Sequence, residues 1–218
     1  MKRAWCWIAA AWLLALVPSL AGAVRLLQWS AIVPQPLPVA AGSPLAVALV
    51  LHVTAVICFG WLAPLQLSPL SRAHQARWHW RLGMSVWFSG VVAAFSGLML
   101  SQFYPHGPYD GAALLMLRWL AGSWMLWSLM LGLTRIRQRR FSQHSAWMIR
   151  AYAVGMGAGT QVLTHLPLLI WPELAGELAR TLCMGAGWLI NVVIAEAVIG
   201  GWVRRPRLHP ISASSFRP

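Results

Sequence analysis

Acidic side chains are almost missing from this chain. Its 218 residues include only four, Asp110, Glu173, Glu177 and Glu196, against 17 Lys and Arg, and charged residues of both signs make up 10%. A soluble domain carries about a quarter, so a chain wetted over its whole surface is excluded. Cysteine is nearly as scarce. Cys6, Cys58 and Cys183 lie far apart in apolar runs, which offers neither a disulfide framework nor a metal-ligand spacing. They read as small buried apolar side chains. Also missing are the phosphate-cradling glycine loop, the dinucleotide fingerprint, the zinc-hydrolase helix motif and a Ser-His-Asp spacing.

What the chain has instead is apolar sequence. Hydrophobic residues make up 59%, and several runs reach the roughly 20 residues that cross a bilayer as a helix. The expected fold is an all-α polytopic membrane protein, a six-helix bundle in one domain. Its spans cover about 5–27, 44–65, 82–103, 112–134, 144–170 and 181–203, and a basic cytoplasmic tail follows at 204–218. The first run ends near Ala21-Gly22-Ala23, which resembles a signal-peptidase site, so residues 1–23 read either as a cleaved signal or as the start of a first span.

The net charge of +13 does not point to nucleic acid. The cations sit in short clusters between apolar runs and at the chain ends, as they do when they orient helices in a membrane. Lys2, Arg3, Arg72, Arg77, Arg81, Arg135, Arg137, Arg139, Arg140, Arg204, Arg205, Arg207 and Arg217 fall on one side, and little beyond Arg25 and Arg180 on the other. Both termini are therefore expected in the cytoplasm, with the body in a bacterial inner membrane. Fifteen tryptophans, many near span ends, fit anchoring at the bilayer interface.

The stretch Phe141 to Trp171 is long enough to cross as one helix, with a histidine near each end and Arg150 inside. At 100° per residue, His144, Met148, Ala151, Gly155, Ala158, Gly159, Val162 and His165 share a stripe whose middle is small. Ionisable groups at membrane depth are costly and usually face a partner, a cavity or a cofactor. Arg150 lies about 9 Å inside the cytoplasmic face and Glu196 about 10 Å, on successive spans, so the two are expected to pair. Near the opposite face His52, Arg118 and His165 fall in one layer, as a shared site or with each satisfied by a nearby carbonyl.

These residues suggest haem b. Imidazoles from two helices would clamp the iron, and His79 and His144 lie at matching depth at helix amino ends, where the dipole favours the neutral ring. Arg118 and Arg150 could pair with propionates, and Gly155, Gly157 and Gly159 could make room for the macrocycle, although close helix packing explains them as well or better. His52 and His165 form a second possible pair. His144 and His165 are roughly 31 Å apart along one helix, too far for the same-helix ligands of dihaem cytochromes, so one haem or none fits better than two. A quinone pocket built on His52, Arg118 and His165 is a relative of this idea. Either would imply a membrane redox partner. A different class of function, a non-catalytic assembly partner or small-solute carrier, uses the same residues as internal pairs. His74 and His79, five apart, make a poor metal motif, and His106 and His209 read as solvated.

The run LHVTAVICFGWLAPLQLSPL, the entry RWHWRLG, and HSAWMIRAYA after a basic loop resemble the bacterial membrane-protein family known as domain of unknown function 2306. The matching positions are His52, Gln66, His79, Gly83, His144, Trp147, Met148, Arg150 and Tyr152. Trp80 and Met84 depart from the pattern, standing where the family tends to carry basic residues; Arg81 is the nearest cation. The resemblance implies a fold and a residue set rather than a reaction. Its histidine-bearing bundle is also distantly similar to transmembrane cytochromes b, by analogy only.

Overall fold

The structure is a computed structural model and describes residues 2–30, 32, 39–40, 42–67 and 76–203. The tail from residue 204, with His209, and the segment holding Arg72 and His74 lie outside the described residues. Helices α1 (Lys2–Trp29), α2 (Pro44–Leu67), α3 (Ala76–Phe103) and α4 (Ala112–Arg137) come first. Three short pieces follow, α5 (Phe141–Gly155), α6 (Gly157–Thr164) and α7 (Leu166–Ile170), then a 3-10 turn at Pro172–Leu174 and α8 (Glu177–Val203). Among the described residues there is no strand. Five helices, α1 to α4 and α8, are long and apolar enough to cross a membrane.

Local chemistry sets the ends. Ser43 caps α2 by accepting the Ala46 N–H at 3.2 Å, and Pro44 opens the helix where its missing N–H does no harm. Helix α3 begins at Ala76, earlier than the expected start near residue 82, so His79 sits in its first turn. Successive helices run antiparallel, as side-chain contacts of nearly constant residue sum require. Trp12 Nε1–H donates to the Trp61 carbonyl at 3.0 Å, and Trp61 Nε1–H returns to Ser19 Oγ at 2.9 Å, joining α1 to α2. Trp87 Nε1–H donates to the Leu129 carbonyl at 3.1 Å between α3 and α4. Thr164 Oγ1–H donates to the Cys183 carbonyl at 2.7 Å between α6 and α8.

The segment expected as a single helix over 144–170 is interrupted at Met156 and at His165. Each break has an identifiable cause. Asn191 Nδ2–H of α8 donates to the Ala153 carbonyl at 3.1 Å, inserting a side chain into the backbone ladder beside Gly155 and Gly157. Further on, Pro167 has no N–H to give the Leu163 carbonyl, so the chain tightens after His165.

This broken segment is the hub of the molecule. A Cβ on Gly155 would collide with Phe59 of α2, one on Gly157 with the Trp188 indole of α8, and one on Gly159 with the Leu14 carbonyl of α1. Positions two apart on a helix point about 200° apart, so Gly155 and Gly159 take the adjacent helices α2 and α1, and Gly157 takes α8 behind. The Leu14 carbonyl has lost its usual donor to Pro18, four residues on. The best-packed core, with Phe59, Leu82, Val86, Leu129, Met148 and Ala151, lies between α2, α3, α4 and α5.

Candidate functional site

Antiparallel packing gathers the C-termini of α2 and α4 and the N-termini of α3 and α5 at one end, which we call the inner end. The motif residues of α5 fan out there to different neighbours. His144 Nδ1–H donates to the Gly132 carbonyl of α4 at 2.8 Å, and Met148 fills the space that Gly132 leaves. Trp147 packs on Trp124 of α4, with ring centroids 6.1 Å apart, and the Arg150 guanidinium lies 4.6 Å from the Trp147 ring centroid. Arg150 then grips Glu196 of α8 with two bonds, Nε–H to Oε1 at 2.5 Å and Nη2–H to Oε2 at 2.9 Å. Tyr152 turns to α2 and packs on Phe59, 5.9 Å between centroids. Its hydroxyl is buried and makes no hydrogen bond among the described residues.

Beside this fan, Gln66 Nε2–H donates to His79 Nε2 at 3.0 Å. Gly83, one turn further along α3, leaves the space that the Gln66 amide occupies. The inner end thus holds both His79 and His144, the first turned towards α2 and the second towards α4.

The outer half is organised otherwise. His52 Nδ1–H donates to the Ala93 carbonyl of α3 at 2.9 Å, with Ser96 Oγ at 3.2 Å, and its ring lies over Gly97. His165 Nδ1–H bonds within its own segment, to the Gln161 carbonyl at 2.7 Å. Arg118 Nη1–H donates to Asp110 Oδ2 at 3.0 Å. Among the described hydrogen bonds, none joins His52, Arg118 and His165 to one another, so the equal depth of the three does not become contact.

Arg118 belongs instead to a cluster that the sequence reading did not assemble. Asp110, in the turn before α4, also accepts Arg180 Nε–H at 2.5 Å from the first turn of α8, and its side chain is only 8% exposed. Burial alone would raise the Asp110 pKa, but the Arg180 and Arg118 guanidiniums outweigh it and hold the carboxyl below the ordinary range. Glu177 lies against Gly111, which opens α4, so a carboxylate sits near that helix's positive end. The available signal was scarcity. Asp110 is one of only four acids, and Arg118 follows it by eight residues.

These four histidines share one tautomer. A carbonyl oxygen can only accept, so His52, His144 and His165 carry their proton on Nδ1. His79 accepts at Nε2, which puts its proton on Nδ1 as well. In the neutral form each ring has Nε2 as its basic nitrogen, and in His79 that nitrogen accepts the Gln66 amide. Hydrogen bonding of Nδ1–H to a carbonyl is the arrangement that fixes a histidine to ligate a metal or take a proton through Nε2. Among the described residues no group of three His, Cys, Asp or Glu side chains is placed to hold a bare metal ion. The slots at Gly155, Gly157 and Gly159 are filled by Phe59, Trp188 and Leu14 of the chain itself, so a macrocycle finds no room at these glycines.

Compared with known proteins, residues 49–199 match a family model described as "Predicted membrane protein (DUF2306)". No curated protein and no solved structure matches the chain.

Proposed function

Since the chain belongs to the DUF2306 family of predicted membrane proteins, we propose that it is a membrane electron-transfer protein whose inner end receives a redox group, a quinone first and haem b second. The observation that carries this reading is the shared tautomer. At the inner end the Gly132 carbonyl holds His144 through Nδ1–H and the Gln66 amide donates to His79 Nε2, so in the neutral form both rings carry their proton on Nδ1. Reducing a quinone to a quinol takes two electrons and two protons, so the site needs groups that pass protons at membrane depth. His79 and His144 take that role here, with Arg150 as a cation on the same helix as His144, and a membrane redox partner supplies the electrons. The filled glycine slots favour a small head group over a macrocycle.

In this reading the interrupted segment 141–170 makes a sixth crossing. Both ends of the chain face the cytoplasm, and the membrane is a bacterial inner membrane.

The test is protein purified in mild detergent from cells with ample haem. A Soret band that shifts on reduction and is lost in His144→Ala supports haem b. A colourless preparation that carries quinone through solvent extraction, and loses it in His79→Ala and His144→Ala, supports the quinone. Neither chromophore nor quinone removes the electron-transfer reading.

A second reading, a non-catalytic assembly partner or small-solute carrier, is favoured by how the α5 motif is used. His144, Met148, Arg150 and Tyr152 are each engaged with a neighbouring helix. It predicts that the His144→Ala protein is destabilised while carrying no cofactor to lose.

A further inference from the structure

The turn between α4 and α5 closes in an expensive way. The Arg140 N–H donates to the Arg135 carbonyl at 2.9 Å and the Arg139 N–H to the Ile136 carbonyl at 3.0 Å. This pair of bonds ends a helix by putting one residue in the left-handed region, a position usually given to glycine. Here that residue is Arg139, at φ 57°, the one non-glycine residue with positive φ among the described residues. A side chain there is strained. A strained residue at an exposed tip points to a use for its side chain.

The surroundings say what that use is. Gln138, Arg139, Arg140 and Phe141 are all exposed. The chain's four acids are Asp110, Glu173, Glu177 and Glu196. The first three lie towards the opposite end, and Glu196 is held by Arg150. Among the described ion pairs none reaches Arg135, Arg137, Arg139 or Arg140, and the first turn of α5 carries no acid. The turn directly follows α4, a helix long and apolar enough to cross a membrane, so a crossing by α4 would bring it to the level of lipid headgroups. Guanidiniums bind phosphate by two-pronged hydrogen bonds, and the positive end of α5 adds to the attraction.

We propose that this turn is a docking site for anionic phospholipid headgroups, with Arg137, Arg139 and Arg140 on the phosphates and Phe141 in the interface. The proposal rests on the chain being a membrane protein and is independent of any redox group. Each arginine near an anionic membrane surface contributes about a fivefold preference.

The experiment uses the full-length protein in bilayers of phosphatidylcholine with phosphatidylglycerol. Spin-labelled lipids give the association constant of phosphatidylglycerol relative to phosphatidylcholine at the protein surface. The expected wild-type ratio is clearly above one and falls with added salt. Arg139→Gly relieves the backbone and keeps the fold, and its ratio drops about fivefold or to one. Arg139→Lys keeps the charge and most of the preference. A wild-type ratio of one overturns the proposal and leaves the turn to an acidic protein partner. An Arg139→Gly ratio equal to wild type, or equal losses in Arg139→Gly and Arg139→Lys, overturns it as well.

Discussion

Asp110 shows how one carboxylate organises two helices. Removing its charge in Asp110→Asn leaves Arg118 and Arg180 facing each other beside a neutral amide. Charge-assisted hydrogen bonds of this kind contribute about 1.5–3 kcal/mol each, so a loss of about 2–3 kcal/mol is expected, read as a lower midpoint in thermal unfolding. The pH dependence follows from the depressed pKa. The folded protein holds this proton less readily than the unfolded chain, so the stabilisation is complete above the ordinary carboxylate pKa. It is lost as pH falls through the lower folded value. Acidification below about pH 4 should therefore lower the midpoint of the wild type more than that of Asp110→Asn. The Arg150–Glu196 pair gives a complementary test. The Glu196 side chain is 47% exposed, so Arg150→Glu or Glu196→Arg alone should cost about 2–3 kcal/mol, under the range for a fully buried pair. Reversing both should restore folded yield, and no recovery would count against the contact. Depth in a span is legible from sequence because the rise per residue is fixed; the direction a side chain faces is not. His52, Arg118 and His165 share a depth, yet their partners lie on α3, in the turn before α4, and within the histidine's own segment.

At the scale of elements, apolar run length reveals α1 to α4 and α8, because a long hydrocarbon-compatible run leaves few alternatives to a helix. It does not reveal the breaks in 141–170. Gly155, Gly157 and Pro167 are all tolerated inside spanning helices, and the side chain that opens the ladder, Asn191, comes from α8, far away in sequence. The same applies to the small-residue stripe. Its composition fits a cofactor slot or a helix crossing equally, and only the positions of Phe59, Trp188 and Leu14 decide in favour of crossings. Gly159 is the sharpest case, because its neighbour is backbone and cannot rotate away. Gly159→Ala should push α1 off the hub at a cost of about 1–3 kcal/mol. Pulsed proteolysis in detergent should then release α1 before the rest. Gly176, with open space around it, should accept alanine with no such effect.

For the whole molecule the open question of architecture is whether the interrupted segment carries the chain across the membrane. Its pieces run antiparallel to α8 from the Arg150–Glu196 pair to the Thr164–Cys183 contact. The two ends of a crossing must surface on opposite sides, and a helix broken at membrane depth survives where other helices satisfy its freed backbone groups. Asn191 does this for the Ala153 carbonyl. With Cys6, Cys58 and Cys183 replaced, single cysteines introduced as Arg139→Cys and Gly176→Cys should react with a membrane-impermeant maleimide from opposite faces. In intact cells, Gly176→Cys should label from outside, and Arg139→Cys only after the cells are opened. That outcome would put the basic end in the cytoplasm, the side expected from the clustering of arginine there. Labelling of both positions from the same side would reduce the segment to a re-entrant hairpin. It would also place the two ends of the chain on opposite faces.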